Sequence, residues 1–191
     1  VTVSSAPKLL FVGRFVAKKG IPTLLRALEV LRRDGLAATL TLAGGGVEEG
    51  MLRQHASSPE LSDAVRFAGV VPHGDILGLM RGHDILVVPS ETDADGDRDG
   101  VPNVVLEAMA IGLPVVGTQG GSLSEVLTDE TGVLFEAGDS CGCAVAVRTV
   151  AGRSDVGQIR RRAARRRIEE DYDAERLIKV KKGLFERALS H

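Results

Sequence analysis

Two basic side chains lie close together after the first apolar run of the chain. Arg14 and Lys19 fall within the segment Gly13–Gly20, directly before an amphipathic stretch. A guanidinium can bind two phosphate oxygens at once, an ammonium adds a point charge, and the dipole of a following helix favours an anion at its N-terminus. The spacing therefore indicates a diphosphate site, and solvated surface charges are the alternative interpretation.

A second polar group lies in the segment Asp99–Ala110, after another apolar run. It combines a carboxylate at Asp99, a turn at Gly100 and a predicted helix that carries a second carboxylate, Glu107. A carboxylate near a helix N-terminus is stable when ionised and accepts hydrogen bonds from sugar hydroxyls. Because the residues on both sides of Glu107 are apolar, we expect this side chain to be partly buried.

The elements that would position these groups are visible as short apolar runs alternating with amphipathic segments. In the first amphipathic segment the apolar residues recur on one helix face, at Ile21, Leu24, Leu25, Leu28 and Leu31. Alternating strands and helices predict β–α–β crossovers and an α/β fold with a doubly wound parallel sheet. Ligands bind beyond the carboxyl ends of such strands, where both polar groups fall.

The same patterns predict the bounds of the individual elements. Strands are expected at Lys8–Gly13, Thr39–Ala43, Val65–Phe67, Asp84–Val88, Pro114–Gly117 and Gly132–Phe135. Further helices are expected at Val47–Ala56, His73–Gly82, Asn103–Ile111, Ser122–Leu127, Asp139–Val150 and near Ala174–Leu189. The tail differs from the rest, because residues 155–170 carry a run of six arginines.

Composition limits the class of protein. The 191 residues are 43 % hydrophobic and 26 % charged, with a net charge of −2, which is typical of a globular domain and does not favour nucleic acid. The two cysteines, Cys141 and Cys143, are expected to be reduced thiols in a cytoplasmic protein. No run approaches the roughly 18 apolar residues of a membrane span. A start at Val1, close to the first strand, suggests a piece of a longer protein.

Several motifs then follow one another in a characteristic order. They are Gly13-Arg14-x4-Lys19-Gly20, the glycine turn Gly44–Gly46, Arg66-Phe67-x-Gly69-x-Val71, Asp99 with Glu107 before Ala-Met-Ala, Gly112–Val116, and Gly120-Gly121-x3-Glu125. In this order, from about Lys8 to Phe135 and more faintly beyond, they resemble the donor-binding domain of group 1 (family 4) retaining glycosyltransferases. The resemblance implies a Rossmann-like half of a GT-B fold, with residues 1–152 as the nucleotide-sugar-binding domain and 153–191 as its helical tail.

The resemblance also implies roles for the motif residues. Arg14 and Lys19 would hold the donor diphosphate and offset the charge on the leaving nucleoside diphosphate. Asp99 would face the donor sugar, Glu107 would bind ribose hydroxyls, and Val71 would lie against the base. Arg14, Lys19 and Asp99 are thus the expected catalytic residues. The expected donor-binding set is completed by Gly13, Gly45, Gly100, Val101, Asn103, Val104, Gly120 and Gly121.

The implied partners follow from the same family. The substrate would be a nucleotide sugar such as a UDP- or GDP-sugar, with no separate cofactor and no metal. An N-terminal acceptor domain of the same enzyme would complete the active site, so the chain alone would transfer sugar poorly. Surface polysaccharide or glycolipid synthesis, in the cytoplasm or peripherally at the inner membrane face, is the expected setting.

Two residues depart from the family pattern. Asp99 stands where the family usually has glutamate, and Pro102, which has no N–H to donate, stands where glycine is frequent. Both positions concern the donor sugar rather than the nucleotide. The identity of the sugar is therefore left open.

Three other interpretations compete with this one. The acidic loop Asp93–Gly100 resembles part of an EF-hand, but the closing carboxylate falls one residue late. The segment Gly44–Gly50 is a loose dinucleotide-binding pattern, without the acidic residue expected about 20 positions on. The arginine run could bind anionic lipid or nucleic acid in a non-catalytic nucleotide-binding module, although a solvated helix face is the more common arrangement.

Overall fold

The computed structural model describes residues 6–91, 102–152 and 154–172. The strands in these residues are β1 (Lys8–Val12), β2 (Thr39–Ala43), β3 (Val65–Gly69), β4 (Ile85–Val88), β5 (Val115–Thr118) and β6 (Val133–Phe135). The helices are α1 (Ile21–Arg33), α2 (Glu49–Ala56), α3 (His73–Arg81), α4 (Asn103–Ala110), α5 (Ser140–Gly152) and α6 (Ser154–Asp171), with 3-10 turns at Ala17–Lys19 and Gly121–Glu125. The predicted alternation of strands and helices is confirmed.

The six strands are all parallel and form one sheet in the order β3-β2-β1-β4-β5-β6. The chain therefore runs outward from β1 to β3 and then returns to the other side of β1 at β4. This reversal leaves a crevice at the carboxyl ends of β1 and β4, where loops on the two sides part from each other. The doubly wound parallel α/β sheet predicted from the sequence is confirmed.

Side chains of the central strand are buried on both faces of the sheet. Leu9 and Phe11 pack into a cluster with α1, α2 and α5, whereas Leu10 packs into the opposite cluster with α3, α4 and α6. The stripe of α1 that begins at Ile21 and Leu24 is buried in the first cluster, as its periodicity predicts. Burial on both faces explains why the strands are continuous apolar runs rather than alternating ones.

The predicted helix at Ser122–Leu127 is wrong in type, because the segment forms the 3-10 turn Gly121–Glu125. Side-chain hydroxyl groups form hydrogen bonds with main-chain groups at both ends of the turn. The Gly120 N–H donates to Ser124 Oγ (2.7 Å), and Thr131 Oγ1 donates to the Val126 carbonyl (3.2 Å). Side chains that bond locally to the backbone in this way compete with a longer helix. The helix predicted near Ala174–Leu189 lies outside the described residues.

The arginine run forms part of α6, and the expectation of a simply solvated face is wrong for part of it. Arg160 Nε donates to the Asp129 carbonyl (2.9 Å), and Arg167 Nη2 donates to the Glu125 carbonyl (2.7 Å). Ala164, on the same helix, is buried in the cluster with α4. Basic side chains therefore dock α6 onto the segment between β5 and β6, and fewer arginines are left for an outside partner.

A left-handed glycine joins the first 3-10 turn to α1. Gly20 has φ 60°, and a β-carbon added there would overlap the carbonyl oxygen of Pro89, directly after β4. The turn and the end of β4 thus touch through main-chain atoms, and glycine alone permits this approach.

We predict that Gly20→Ala lowers the free energy of unfolding by more than about 2 kcal/mol, because the left-handed conformation and the overlap both oppose a side chain. Gly78→Ala is the control, since Gly78 lies in α3 with open space around it. That substitution should be neutral or stabilising by up to about 1 kcal/mol. Denaturant unfolding of both variants measures the difference, and equal stabilities would contradict the role given to Gly20.

The two cysteines of α5 differ in their surroundings. Cys141 is exposed, whereas Cys143 is buried, and both are free. Burial and the nearby charge of Asp139 raise the pKa of the Cys143 thiol from its ordinary value of 9.0 to about 12. The thiol of Cys143 therefore remains protonated in the folded protein at pH values where an unfolded thiol ionises.

This pKa shift predicts a loss of stability at alkaline pH. The contribution of Cys143 is complete below pH 9.0 and is lost as the pH rises from 9.0 to about 12, because only the unfolded thiol ionises in that window. The slope should reach at most about 1.4 kcal/mol per pH unit. Urea unfolding between pH 8 and 11 of wild type and Cys143→Ala measures it; the variant should show a shallower decline. Identical slopes would show that the thiol does not contribute.

Candidate functional site

A cleft opens at the carboxyl ends of β1, β2 and β3, beside α3. It has a volume of about 260 Å³. Its lining residues come from three loops and the first turns of α3, and they are Val12, Gly13, Arg14, Ala43, Gly44, Gly45, Val70, Val71 and Ile76. Four of the residues predicted to bind the donor, Gly13, Arg14, Gly45 and Val71, therefore line one cleft.

Main-chain hydrogen bonds continue beyond the strand ends and hold these loops together. The Gly13 N–H donates to the Ala43 carbonyl (3.0 Å), the Phe15 N–H to the Gly45 carbonyl (2.9 Å), and the Gly44 N–H to the Gly69 carbonyl (2.7 Å). The floor of the cleft is thus an extension of the sheet by one or two residues per strand. Loops bonded in this way are preorganised rather than ordered on binding.

The glycine turn after β2 allows this close approach. Gly44 has φ 143°, and a β-carbon there would overlap the carbonyl oxygen of Gly13. A β-carbon on Gly46 would overlap the carbonyl oxygen of Phe15 in the same way. Contact between two loops accounts for these glycines, so they no longer favour a dinucleotide-binding interpretation.

Arg14 is exposed because its neighbour faces the core. Phe15 is buried, with ring centroids 6.3 Å from Phe11 and 6.2 Å from Phe67. The anchored Phe15 leaves Arg14 directed to the solvent side of the loop, on the lining of the cleft. Aromatic packing in the core thereby sets the position of a predicted phosphate-binding guanidinium.

Lys19 reaches back over the start of the same loop. It ends the 3-10 turn Ala17–Lys19, and its Cε lies 3.9 Å from the position that a β-carbon on Gly13 would take. Gly13 and Arg14 both line the cleft, so the two predicted cationic side chains lie at the same end of it. Both predicted cations thus lie near the end of β1.

Glu107 approaches the cleft from α4. Its side chain is 25 % exposed, and its Oε1 lies 3.8 Å from Nδ1 of His73, the first residue of α3. Since Val71 and Ile76 flank His73 and line the cleft, Glu107 stands beside the wall formed by α3. The carboxylate is partly buried, which agrees with the expectation from its apolar neighbours.

Apart from Gly13, Arg14, Gly45 and Val71, none of the predicted residues that the structure describes is on the lining of this cleft. Gly120 and Gly121 follow β5, and the Gly120 N–H is engaged by Ser124 Oγ in this conformation. Asn103 is exposed and Val104 is half-buried at the start of α4. Asp99, Gly100 and Val101 lie outside the described residues, as does the acidic loop Asp93–Gly100.

Sequence reasoning missed several residues that contribute to the cleft. Val70 is 83 % exposed next to Gly45, and Ile76 lines the wall one turn into α3. An exposed valine beside a strand end could have been noticed as an apolar wall, but only if the end of β3 had been placed at Gly69 rather than Phe67. His73 is 86 % exposed, and its proximity to Glu107 depends on tertiary structure.

The described residues contain neither a cluster of three or more potential metal-ligating His, Cys, Asp or Glu side chains nor a helix long and apolar enough to cross a membrane. Within the described part of the chain, the cleft has an apolar wall, a floor of main-chain atoms and Arg14 on its lining, with Lys19 near its β1 end and Glu107 beside its α3 wall.

Known proteins are similar to this chain in sequence and in fold. Residues 6–152 match the family described as glycosyl transferases group 1. The glycogen synthase of Mycobacterium tuberculosis (strain ATCC 25618 / H37Rv) is 38 % identical over 167 residues, which are 87 % of this chain and 39 % of that protein. The amylovoran biosynthesis glycosyltransferase AmsK of Erwinia amylovora is 32 % identical over 168 residues, which are 87 % of this chain and 41 % of that protein.

Solved structures agree in fold. Anabaena HepE in complex with UDP-glucose has a TM-score of 0.82 at 22 % identity, covering 99 % of this chain and 50 % of that chain. The C-terminal domain of a group 1 family protein (LpcC) from Francisella tularensis has a TM-score of 0.76 at 22 % identity, covering 88 % of this chain and 87 % of that domain. The chain thus spans only 39–41 % of the two curated relatives described above. It belongs to the group 1 glycosyltransferases and has the Rossmann-like fold of one half of a GT-B enzyme.

Proposed function

We propose that this chain binds a nucleoside-diphosphate sugar and forms the donor-binding half of a retaining glycosyltransferase. The observation that carries the proposal is that Arg14 lines an apolar cleft at the carboxyl edge of the sheet, with Lys19 near Gly13 at one end of it and Glu107 beside His73, next to its α3 wall. A nucleotide sugar has a planar apolar base, a ribose with two hydroxyls and a diphosphate. The apolar wall would fit the base, Glu107 the ribose, and Arg14 with Lys19 the diphosphate.

The diphosphate would bind where β1 ends. There Arg14 can donate two parallel hydrogen bonds to phosphate oxygens, and Lys19 adds a second positive charge. When the bond between the sugar C1 and the diphosphate oxygen breaks, negative charge grows on the leaving group, and fixed cations stabilise that charge more than the ground state. One well-placed donor of this kind lowers the activation barrier by about 3–4 kcal/mol.

The nucleoside would bind toward α3. Val70, Val71 and Ile76 provide apolar surface for one face of a base. Glu107, half-buried beside the start of α3, would accept hydrogen bonds from the ribose hydroxyls. In this arrangement His73 is a neighbour that the ribose displaces from Glu107.

The donor sugar would bind next to the start of α4 and the segment before it. We assign this part to Asp99 and the main chain of residues 100–104, including Gly100, Val101, Asn103 and Val104. The HepE structures contain UDP and UDP-glucose, and AmsK takes part in amylovoran biosynthesis. These relatives support a nucleotide-sugar donor and polysaccharide synthesis as the setting. Transfer to an acceptor would require the part of the enzyme that faces this cleft, so the chain alone is expected to bind the nucleotide without efficient turnover.

We predict that one nucleoside diphosphate, among UDP, GDP and ADP, raises the melting temperature of the chain without added metal. At 100 times its dissociation constant the ligand adds about 2.7 kcal/mol, which is roughly 5–10 °C for a domain of this size. Arg14→Ala should weaken binding of the diphosphate about tenfold or more, and Glu107→Ala should weaken both the diphosphate and the nucleoside. Calorimetric titration of each variant measures these affinities.

The controls are charge changes away from the cleft. Arg162 and Glu130 are exposed on α6 and on the loop before β6, and Arg162→Ala and Glu130→Ala should leave binding unchanged. A shift with NAD alone would favour the dinucleotide interpretation, and a shift that requires calcium or magnesium would favour a metal site. Equal binding by wild type and Arg14→Ala would rule out the assignment of the diphosphate to the end of β1.

A further inference from the structure

Glu91 contacts residues on both sides of Lys19, one in the 3-10 turn and one in α1. It lies in the segment that follows β4, after Pro89 and Ser90, and its N–H donates to the Lys18 carbonyl (2.8 Å). Its carboxylate Oε1 accepts a hydrogen bond from Thr23 Oγ1 (2.7 Å), in the first turn of α1. One residue therefore holds the chain immediately before Lys19 and shortly after it.

The Thr23 hydroxyl has a defined set of partners. Thr23 is buried, with 1 % of its surface exposed, and its Oγ1 donates to Glu91 and accepts from Arg26 Nη2 (3.2 Å). A hydroxyl that is buried and already accepts one hydrogen bond needs an acceptor for its own hydrogen. Glu91 supplies that acceptor from the segment after β4, so the pair joins α1 to that segment.

Gly20 completes the contact. A β-carbon added to Gly20 would lie 3.0 Å from Glu91 Oε1, in addition to its overlap with the Pro89 carbonyl. The carboxylate thus packs against the residue that follows Lys19. The direction in which Lys19 leaves the 3-10 turn depends on this contact, since Lys18, Gly20 and Thr23 are all tied to the end of β4.

A carboxylate at this place opposes anion binding by its charge. The Coulomb energy between like charges on the surface of a protein is unfavourable over several ångströms. The nearby N-terminus of α1 stabilises an anion, so Glu91 and a bound diphosphate would share the same favourable field. Any favourable effect of Glu91 on diphosphate binding therefore comes from the geometry that it imposes on the turn, and not from its charge.

We infer that Glu91 is a positioning residue for the diphosphate, acting through the turn that carries Lys19. The inference rests on the proposed function, because it assigns Glu91 a role at the diphosphate end of the same cleft. Glu91 does not contact the ligand in this assignment. Its acceptor oxygen sets where the ammonium of Lys19 lies, and its charge is dispensable.

The test uses Glu91→Ala, Glu91→Gln and Thr23→Val, with Glu130→Ala as the control for loss of an exposed carboxylate. Calorimetry or NMR titration gives the dissociation constants for the nucleoside diphosphate that the wild-type chain binds and for the corresponding nucleoside. Glu91→Ala should raise the constant for the diphosphate about tenfold and change that for the nucleoside by less than about twofold. Glutamine keeps the acceptor oxygen without the charge, so Glu91→Gln should bind the diphosphate at least as tightly as wild type.

Thr23→Val is a second, nearly isosteric way to remove the same interaction. It removes the donor of the hydrogen bond and should reproduce the effect of Glu91→Ala on the diphosphate. The double variant Thr23→Val/Glu91→Ala should be no weaker than either single variant, because both remove one interaction. If Glu91→Ala does not fold, Thr23→Val and Glu91→Gln still test the role.

The outcomes separate the two proposals. If the wild-type chain binds no nucleoside diphosphate, the proposed function fails, and the role of Glu91 fails with it. If wild type binds but Glu91→Ala binds the diphosphate equally well, or loses nucleoside and diphosphate affinity to the same extent, the positioning role is overturned while the proposed function stands. Loss of binding in Glu91→Gln would also overturn it, by showing that the charge itself is required.

Discussion

The structure depends on the close main-chain contacts that the loop after β1 makes on its two sides. Gly44 approaches the Gly13 carbonyl from the β2 side, and Gly20 approaches the Pro89 carbonyl from the β4 side. A side chain at either glycine would overlap the oxygen that it faces. Because β1 lies between β2 and β4 in the sheet, these contacts place the loop that carries Arg14 and Lys19 at a defined height above the crevice.

This arrangement gives a binding cleft that is polar at one end and apolar along its wall. The cations belong to the short loop after β1, which is held by the buried Phe15 and by Glu91, whereas the apolar wall belongs to the start of α3. A diphosphate and a base differ in the same way, and this match supports the proposal that the cleft binds a nucleotide. Preorganised charges of this kind lose little by reorganisation when a ligand binds.

The α6 helix shows how composition can mislead about a surface. Six arginines within residues 160–167 suggest a basic face available to lipid or nucleic acid. In the structure Arg160 and Arg167 bond to main-chain carbonyls of the segment between β5 and β6, and Arg165 pairs with Glu169 on the same helix. An arginine has five donors and a long apolar stem, so it can dock a helix onto irregular backbone as readily as it can attract an anion.

The sequence by itself determined the class of fold and the loops that carry the chemistry, because those depend on local patterns. The apolar stripe of α1 and the uninterrupted apolar strands predict the parallel sheet, and the motif order places Arg14 and Lys19 after β1 and Glu107 in the helix that follows β4. Tertiary structure alone decided which of these groups meet. Thr23 and Glu91 are 68 positions apart, and Glu107 reaches His73 from another helix. Local sequence patterns do not predict such pairings, since they arise only when the order of strands brings the ends of β1, β3 and β4 to one edge of the sheet.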